Sequence, residues 1–244
     1  VWVLRFLSGK RTVIAIRREN LRIRPKVVLP CLALGLAPFI MQASESFISV
    51  CFNASLLRYG GDVAVGAMTI LTSVMQFAML PLQGLAQGAQ PITSYNYGAR
   101  NTQRVRATFR LLLIASMVYS TALWAFIQLC PRIFAGIFTP NVELLDFTAN
   151  ALRIYCGALF LFGIQIACQM TFVAIGNAGS SIIVAVMRKF LLLLPLIYIM
   201  PMLLSDKTTA VYLAEPIADT LAVTFTAILF GIQFHKALAR IETK

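Results

Sequence analysis

A chain of 244 residues that is 59% hydrophobic and only 12% charged, with a mean hydropathy of +0.81, departs from a soluble domain, where roughly a quarter of residues carry charge. This composition excludes a water-soluble domain, a disordered chain and a secreted disulfide scaffold, and it places the protein in a lipid bilayer. The net charge of +12 comes from 21 Lys and Arg against 9 Asp and Glu, and its placement decides between nucleic acid, an anionic surface and membrane topology.

In chain order, residues 1–9 open on Val1-Trp2-Val3-Leu4 and read as the tail end of a preceding transmembrane helix. The charged-then-apolar order of a signal peptide is reversed here. Residues 10–26 hold seven basic side chains and read as a cytoplasmic linker whose apolar residues could also rest on anionic lipid. A bilayer core of about 30 Å takes about 20 apolar residues in a helix. Six such runs follow, at about 27 to 57, 62 to 90, 107 to 130, 148 to 175, 182 to 204 and 209 to 234. Breaker signals separate them: Tyr59-Gly60-Gly61-Asp62, Pro91 to Gly98, Thr139-Pro140-Asn141, Gly176-Asn177-Ala178-Gly179 and Ser205-Asp206-Lys207. The runs are long and continuous, which predicts helices rather than barrel strands. Residues 27–235 are thus expected to form a six-helix bundle, with residues 236–244 as a tail.

Short cytoplasmic loops concentrate Lys and Arg. Alternate loops assign seventeen to one side, including the linker, Arg100 to Arg110, Arg188 and Lys189 after the fourth span, and the C-terminal tail. Arg58, Arg132, Arg153 and Lys207 make four on the other. Both ends are therefore expected in the cytoplasm, and the charge is a topology signal that argues against nucleic acid. Cys31, Cys51, Cys130, Cys156 and Cys168 lie in or beside apolar runs without metal-ligand spacing and read as small hydrophobes. The single histidine, His235, falls near the C-terminal tail. No nucleophile, base and orienting group occur together, so an enzyme is not expected. Asn53-Ala54-Ser55 matches a glycosylation acceptor but lies inside a span.

An ionisable residue at the bilayer centre costs at least ~2.5–3.5 kcal/mol on insertion scales, so such residues are functional candidates. Glu45 stands within Gln42-Ala43-Ser44-Glu45-Ser46 in the first span, while Glu215 and Asp219 share one face of the last, with Pro216 between them. Glu215 is expected near the outer end of its helix, where it could be solvated, and Asp219 one turn deeper. A carboxyl group held out of water can take up a proton or trade its hydration for a sodium ion, the chemistry of a cation-driven pump. Structural hydrogen bonding to neighbouring helices is the competing role for Glu45. Pro38, Pro81, Pro195 and Pro216 permit kinks. Gly84-Leu85-Ala86-Gln87-Gly88 offers a small-residue contact face.

The stretch Gln83-Gly84-Leu85-Ala86-Gln87-Gly88-Ala89-Gln90-Pro91-Ile92-Thr93-Ser94-Tyr95-Asn96-Tyr97-Gly98-Ala99-Arg100 resembles the helix-end motif of the MATE (multidrug and toxic compound extrusion) transporters. Within it Gln87, Gln90, Pro91, Tyr95, Asn96, Gly98 and Ala99 carry the likeness; Pro91 is expected to help end the second span, with Asn96 and Gly98 in a tight turn. Phe172-Val173-Ala174-Ile175-Gly176-Asn177-Ala178 and Ala214-Glu215-Pro216-Ile217-Ala218-Asp219 are similar to the same family, in its bacterial MepA-like branch. The resemblance implies one lobe of a twelve-helix, two-lobe antiporter, with residues 10–26 as the inter-lobe loop and residues 27–235 as the C-terminal lobe. It further implies a bacterial inner-membrane location and export of amphipathic, often cationic drugs in exchange for sodium ions or protons, with no cofactor. The partners would be the lipid bilayer, the drugs and a missing N-terminal lobe.

Glu45 resembles a helix-seven glutamate used by some members in cation binding, including sodium. No acid lies between Ala151 and Ile175 to match the helix-ten aspartate of certain branches, which leaves sodium and proton both open. Phe39, Met41, Gln42, Met75, Gln76 and Met79 suit a drug cavity, since aromatic and Met surfaces accommodate varied cations, and they suit ordinary helix packing equally. A lipid-linked precursor flippase of the wider superfamily, or a non-transporting structural fragment, are the alternative functions.

Overall fold

A computed structural model describes residues 25–242; the expected end of a preceding helix, all but the last two residues of the basic linker, and the last two residues of the tail lie outside the described residues. Helices account for nearly all of it, and no strand occurs among the described residues. We number them α1 Pro25–Gly98, α2 Thr102–Leu129, α3 Pro131–Phe138, α4 Val142–Tyr155, α5 Phe162–Ala174, α6 Ala178–Val186, α7 Leu194–Leu203 and α8 Lys207–Glu242. A short 3-10 turn, Leu159–Leu161, precedes α5, and a π-helical segment, Met187–Leu193, joins α6 to α7. The chain divides into two units, Val1–Ala43 and Ser44–Lys244. In the first, Pro25 to Ala43 is helical; all packing described below belongs to the second.

Four helical stretches are long and apolar enough to cross a membrane, or five when the bent pair α4 and α5 counts as one span. The first of them, Gln42–Gly98, has 57 residues, which would extend about 85 Å and far exceeds a bilayer core of about 30 Å. It is broken at Gly61, whose φ of 64° and ψ of −162° leave the helical region; only glycine reaches such a backbone without strain. Dividing α1 there gives the six spans read from the sequence. Between α4 and α5 the chain bends by 46°, and α2 satisfies the backbone groups freed there. Trp124 Nε1 donates to the Gly157 carbonyl at 3.1 Å, and Ser120 Oγ donates to the Phe160 carbonyl at 3.0 Å. In hydrocarbon such groups cannot turn to water.

Two expectations need correction. Pro91 does not end the second span: α1 runs on to Gly98, because proline removes one backbone bond without preventing helix on its far side. The stop comes at Arg100, in the left-handed region at φ 58°, where Asn101 N–H reaches back to the Asn96 carbonyl and Asn101 Oδ1 then caps α2 through Arg104 N–H. The presumed loop after the third span also contains α3, started by Pro131 at its first turn. The tail is helical to Glu242, so exposed His235 lies on α8, with Nδ1 3.1 Å from the Gly231 carbonyl.

Lipid tails are as apolar as leucine, so helices in a membrane associate through close packing and interhelical hydrogen bonds. At Gly163 on α5 an added Cβ would stand 2.7 Å from backbone atoms of Ser116 and Met117 on α2, which marks a near-contact of two backbones. Phe52, Leu56, Leu71, Leu82, Ile127, Leu152 and Tyr212 fill the main core. Tyr212 Oη ties α8 to the α1 arm after Gly61 by donating to the Ala64 carbonyl at 2.7 Å. A second core stacks Phe109, Phe172, Phe230 and Phe234, with ring centroids between 4.5 and 5.3 Å apart. Of the cysteines, Cys51, Cys156 and Cys168 are buried and Cys130 half-buried, all as free thiols.

Candidate functional site

The charged residues of the apolar segments converge. Glu215 and Asp219 stand one helical turn apart on α8 and both meet Arg188 of the π segment. Arg188 Nε donates to Asp219 Oδ1 at 2.6 Å, and its Nη2 donates to Glu215 Oε1 at 3.2 Å. Phe162, at the start of α5, places its ring 5.0 Å from the guanidinium carbon, a cation–π contact that replaces water on that side. The next residue, Lys189, turns to α1 and pairs with Glu45 Oε2 at 2.8 Å. Tyr155 and Cys156, at the end of α4, lie within electrostatic reach of both α8 carboxylates.

The π geometry accounts for the side-by-side placement of Arg188 and Lys189. Leu194 N–H bonds back to the Lys189 carbonyl, five residues away, and the wider turn alters which residues face the bundle; such turns gather at functional sites. On α8, Pro216 offers no N–H to the Tyr212 carbonyl one turn before it, and Thr220 Oγ1 donates to the Pro216 carbonyl at 2.7 Å. Arg188 lies about 14 Å along the Gly179–Leu203 span, and Asp219 about 18 Å along the last span. Both are near mid-depth in segments of membrane length.

Three sequence expectations change here. Arg188 and Lys189 are not in a loop after the fourth span, and the charge asymmetry falls from seventeen to fifteen against four. Hydropathy treats each charge as if alone, whereas here every one has a partner. Glu215 is not solvated near an outer end but buried, at 5% exposure. Glu45 joins the cluster through Lys189, with its side chain 52% exposed. Sequence reasoning missed Arg188 and Lys189; their position six and seven residues after the run's expected start at 182 was the signal available.

Of the residues expected to line a drug cavity, Gln42 and Gln76 are exposed, as is Phe39 in the first unit. Met75 and Met79 pack against the main core, and Met75 Sδ lies 3.7 Å from Cys156 Sγ. Met41 is on α1. An apolar hollow of about 330 Å³ lies elsewhere, between the later part of α1, α2 and α3, with Phe77, Tyr119, Phe126 and Phe134 among its walls.

In the glutamine-rich stretch, Gln87, Pro91, Tyr95, Gly98 and Ala99 are exposed, Gln90 is half-buried and Asn96 is buried. Asn96 Nδ2 donates to the Ile92 carbonyl at 2.8 Å, while Ser94 Oγ donates to the Ala174 carbonyl at 2.9 Å. The latter bond fastens this helix end to the Phe172 to Ala178 turn, where Gly176 takes φ 78° and Asn177 caps α6 through Ser180 N–H.

A profile of the MatE family matches residues 38–199, two thirds of the chain and all of the cluster except its α8 carboxylates. The chain belongs to the MatE family. Multidrug export protein MepA of Staphylococcus aureus is 23% identical over 167 residues, covering 68% of this chain and 36% of that protein. The protein of the same name from Staphylococcus saprophyticus is 20% identical over 199 residues, covering 82% and 43% respectively. Among solved structures, a MATE protein in the bent conformation superposes with a TM-score of 0.85 at 19% identity, covering 99% of this chain and 53% of that one. An inward-facing multidrug resistance MATE family transporter superposes with a TM-score of 0.82 at 18% identity, covering 99% and 55%. The chain thus spans about two fifths of these curated relatives and about half of the solved MATE structures. The all-α membrane fold is that of the MatE family, and the protein is a multi-pass membrane protein.

Proposed function

We propose that the chain is the C-terminal lobe of a multidrug antiporter of the bacterial inner membrane, which exports amphipathic, often cationic compounds in exchange for a sodium ion or a proton. Residues 10–26 then form the cytoplasmic inter-lobe linker, residues 27–235 the lobe, and both ends face the cytoplasm, as the basic residues suggest. The observation that carries this reading is the Arg188, Glu215 and Asp219 cluster at mid-depth in a chain of the MatE family. Buried charges in a bundle are expensive, and where they persist they mark ion pathways. Relatives named multidrug export proteins supply the substrate class.

A ligand shifts a conformational equilibrium only by its differential affinity for the two states, so drug and cation must favour different ones. Alternating access by rocking bundles needs a second lobe. The chain alone is therefore expected to insert, since its spans satisfy their backbone within themselves or, at the bend between α4 and α5, through α2, but not to pump. Efflux of a fluorescent cation from vesicles with an imposed proton or sodium gradient tests this. Transport on co-expression with a family first lobe, lost or strongly reduced in Asp219→Asn and Glu45→Gln, is the expected result. Gradient-driven efflux by the chain alone, or wild-type rates in both variants, would overturn it.

A further inference from the structure

We propose that Arg188 determines ion selectivity: as a tethered cation it fills the Glu215 and Asp219 pair, so that this site exchanges one proton and excludes sodium. The inference deepens the antiport reading and rests on it, naming the ion that the reading leaves open.

The charges facing the pair can be enumerated element by element. Glu45 comes from α1, Tyr155 and Cys156 from the end of α4, Arg188 and Lys189 from the π segment, and the pair itself from α8. Three carboxylates meet two fixed cations, and the set carries one surplus negative charge when all are ionised. In a low-dielectric interior that surplus is costly, and one monovalent cation relieves it. The geometry decides which cation.

The guanidinium already donates to one oxygen of each carboxylate, and the Phe162 ring covers it. A metal ion entering between the carboxylates would meet a like charge at contact distance. It would also need several further oxygen ligands; Phe162, Cys156 and Met75, which touches Cys156, offer none from their side chains, and Tyr155 offers a single hydroxyl. A proton needs only one free carboxylate oxygen, and each carboxylate has one beyond its bond to Arg188. Proton uptake leaves a neutral set with the guanidinium still bonded to the remaining carboxylate.

The test is ion binding by the 244-residue chain in detergent, separate from transport. Thermal unfolding is followed while sodium chloride replaces choline chloride at constant ionic strength. The wild type is expected to be insensitive to sodium. Arg188→Gln opens the pair and is expected to respond saturably, its ratio of folded to unfolded chain rising about tenfold when sodium reaches ten times its dissociation constant. Adding Asp219→Asn to that variant abolishes the response, and Arg188→Lys, which keeps the charge, restores insensitivity. Should Arg188→Gln fail to fold, the wild type and Glu215→Gln decide. The wild type takes up one proton on passing from the ionised to the neutral set, at a pH where Glu215→Gln, whose set is already neutral, takes up none, and neither responds to sodium.

A sodium response of the wild type that Asp219→Asn removes overturns the inference, as does a folded Arg188→Gln that ignores sodium. Equal proton uptake by wild type and Glu215→Gln overturns it too. Failure of efflux, by contrast, would refute the antiport reading and leave these binding results standing.

Discussion

Arg188 Nε and Asp219 Oδ1 lie 2.6 Å apart, a charge-assisted bond that joins the fifth span to the sixth, with the Asp219 side chain buried and that of Arg188 17% exposed. Their worth to the fold is not the strength of that bond alone. Desolvating two ions costs several kcal/mol each, and the Coulomb attraction roughly offsets it. Breaking one partner is different, because an uncompensated charge remains.

Arg188→Met is therefore expected to cost about 3–5 kcal/mol, since it strands two carboxylates. Asp219→Asn should cost less, because the guanidinium keeps Glu215 at 3.2 Å. The triple variant Arg188→Met, Glu215→Gln, Asp219→Asn should recover much of the loss by removing the buried charge altogether. Unfolding of the four proteins in one detergent gives the comparison, and purely additive costs would contradict it.

Gly163 is expected to tolerate no side chain. A Cβ there meets backbone atoms of Ser116 and Met117 at 2.7 Å, and backbone cannot rotate aside as a side chain would. Gly163→Ala should force α2 and α5 apart at a cost of about 1–3 kcal/mol. Gly88, with open space around its missing side chain, is the control, and its alanine variant should unfold close to the wild-type temperature.

Trp124→Phe keeps the aromatic packing on Phe160, whose ring centroid is 5.4 Å away, and removes the donor to the Gly157 carbonyl. An unsatisfied buried carbonyl costs about 1–3 kcal/mol. The bend between α4 and α5 should then exchange its amide hydrogens faster than α2 or α8, which hydrogen exchange resolves by segment. Uniform exchange across all three would show that the bend does not depend on this bond.

How much of this was legible follows from what each signal measures. Six apolar runs announced six spans because a bilayer demands length and hydrophobicity whatever the neighbours do. Gly61, Asn141 and Asp206 announced breaks because turn chemistry is local: Asn141 Oδ1 accepts from Glu143 and Leu144 N–H, as the Thr139-Pro140-Asn141 signal suggests. Glu215 and Asp219 were visible as a pair from spacing alone. Their partner was not, because a salt bridge between residues 31 apart in sequence leaves no mark on either helix. Nor does a π turn, whose extra residue breaks the 3.6 period that would have shown which way Arg188 faces. Helix α3 escaped because eight residues between two spans look like a loop.

The remaining prediction concerns the turn before α8, outside the apolar segments. Asp206 accepts from Thr208 and Thr209 N–H at 3.1 and 3.2 Å and from Thr209 Oγ1 at 2.6 Å. These bonds favour the ionised form and hold its carboxyl below the ordinary carboxylate range, the Thr209 hydroxyl foremost. With the folded value below the unfolded one, the capping stability is present above the unfolded value near pH 4 and is lost as pH falls through the folded value. The cap is exposed, so its worth lies toward the low end of the range for N-caps, about 0.5–1 kcal/mol. Asp206→Asn retains an acceptor for the backbone amides while removing the titration. It should match the wild type in acid and fall slightly below it at neutral pH. Parallel unfolding temperatures of the two proteins from pH 3 to pH 7 would show that the hydrogen bonds to Thr208 and Thr209 do not distinguish the charged carboxylate.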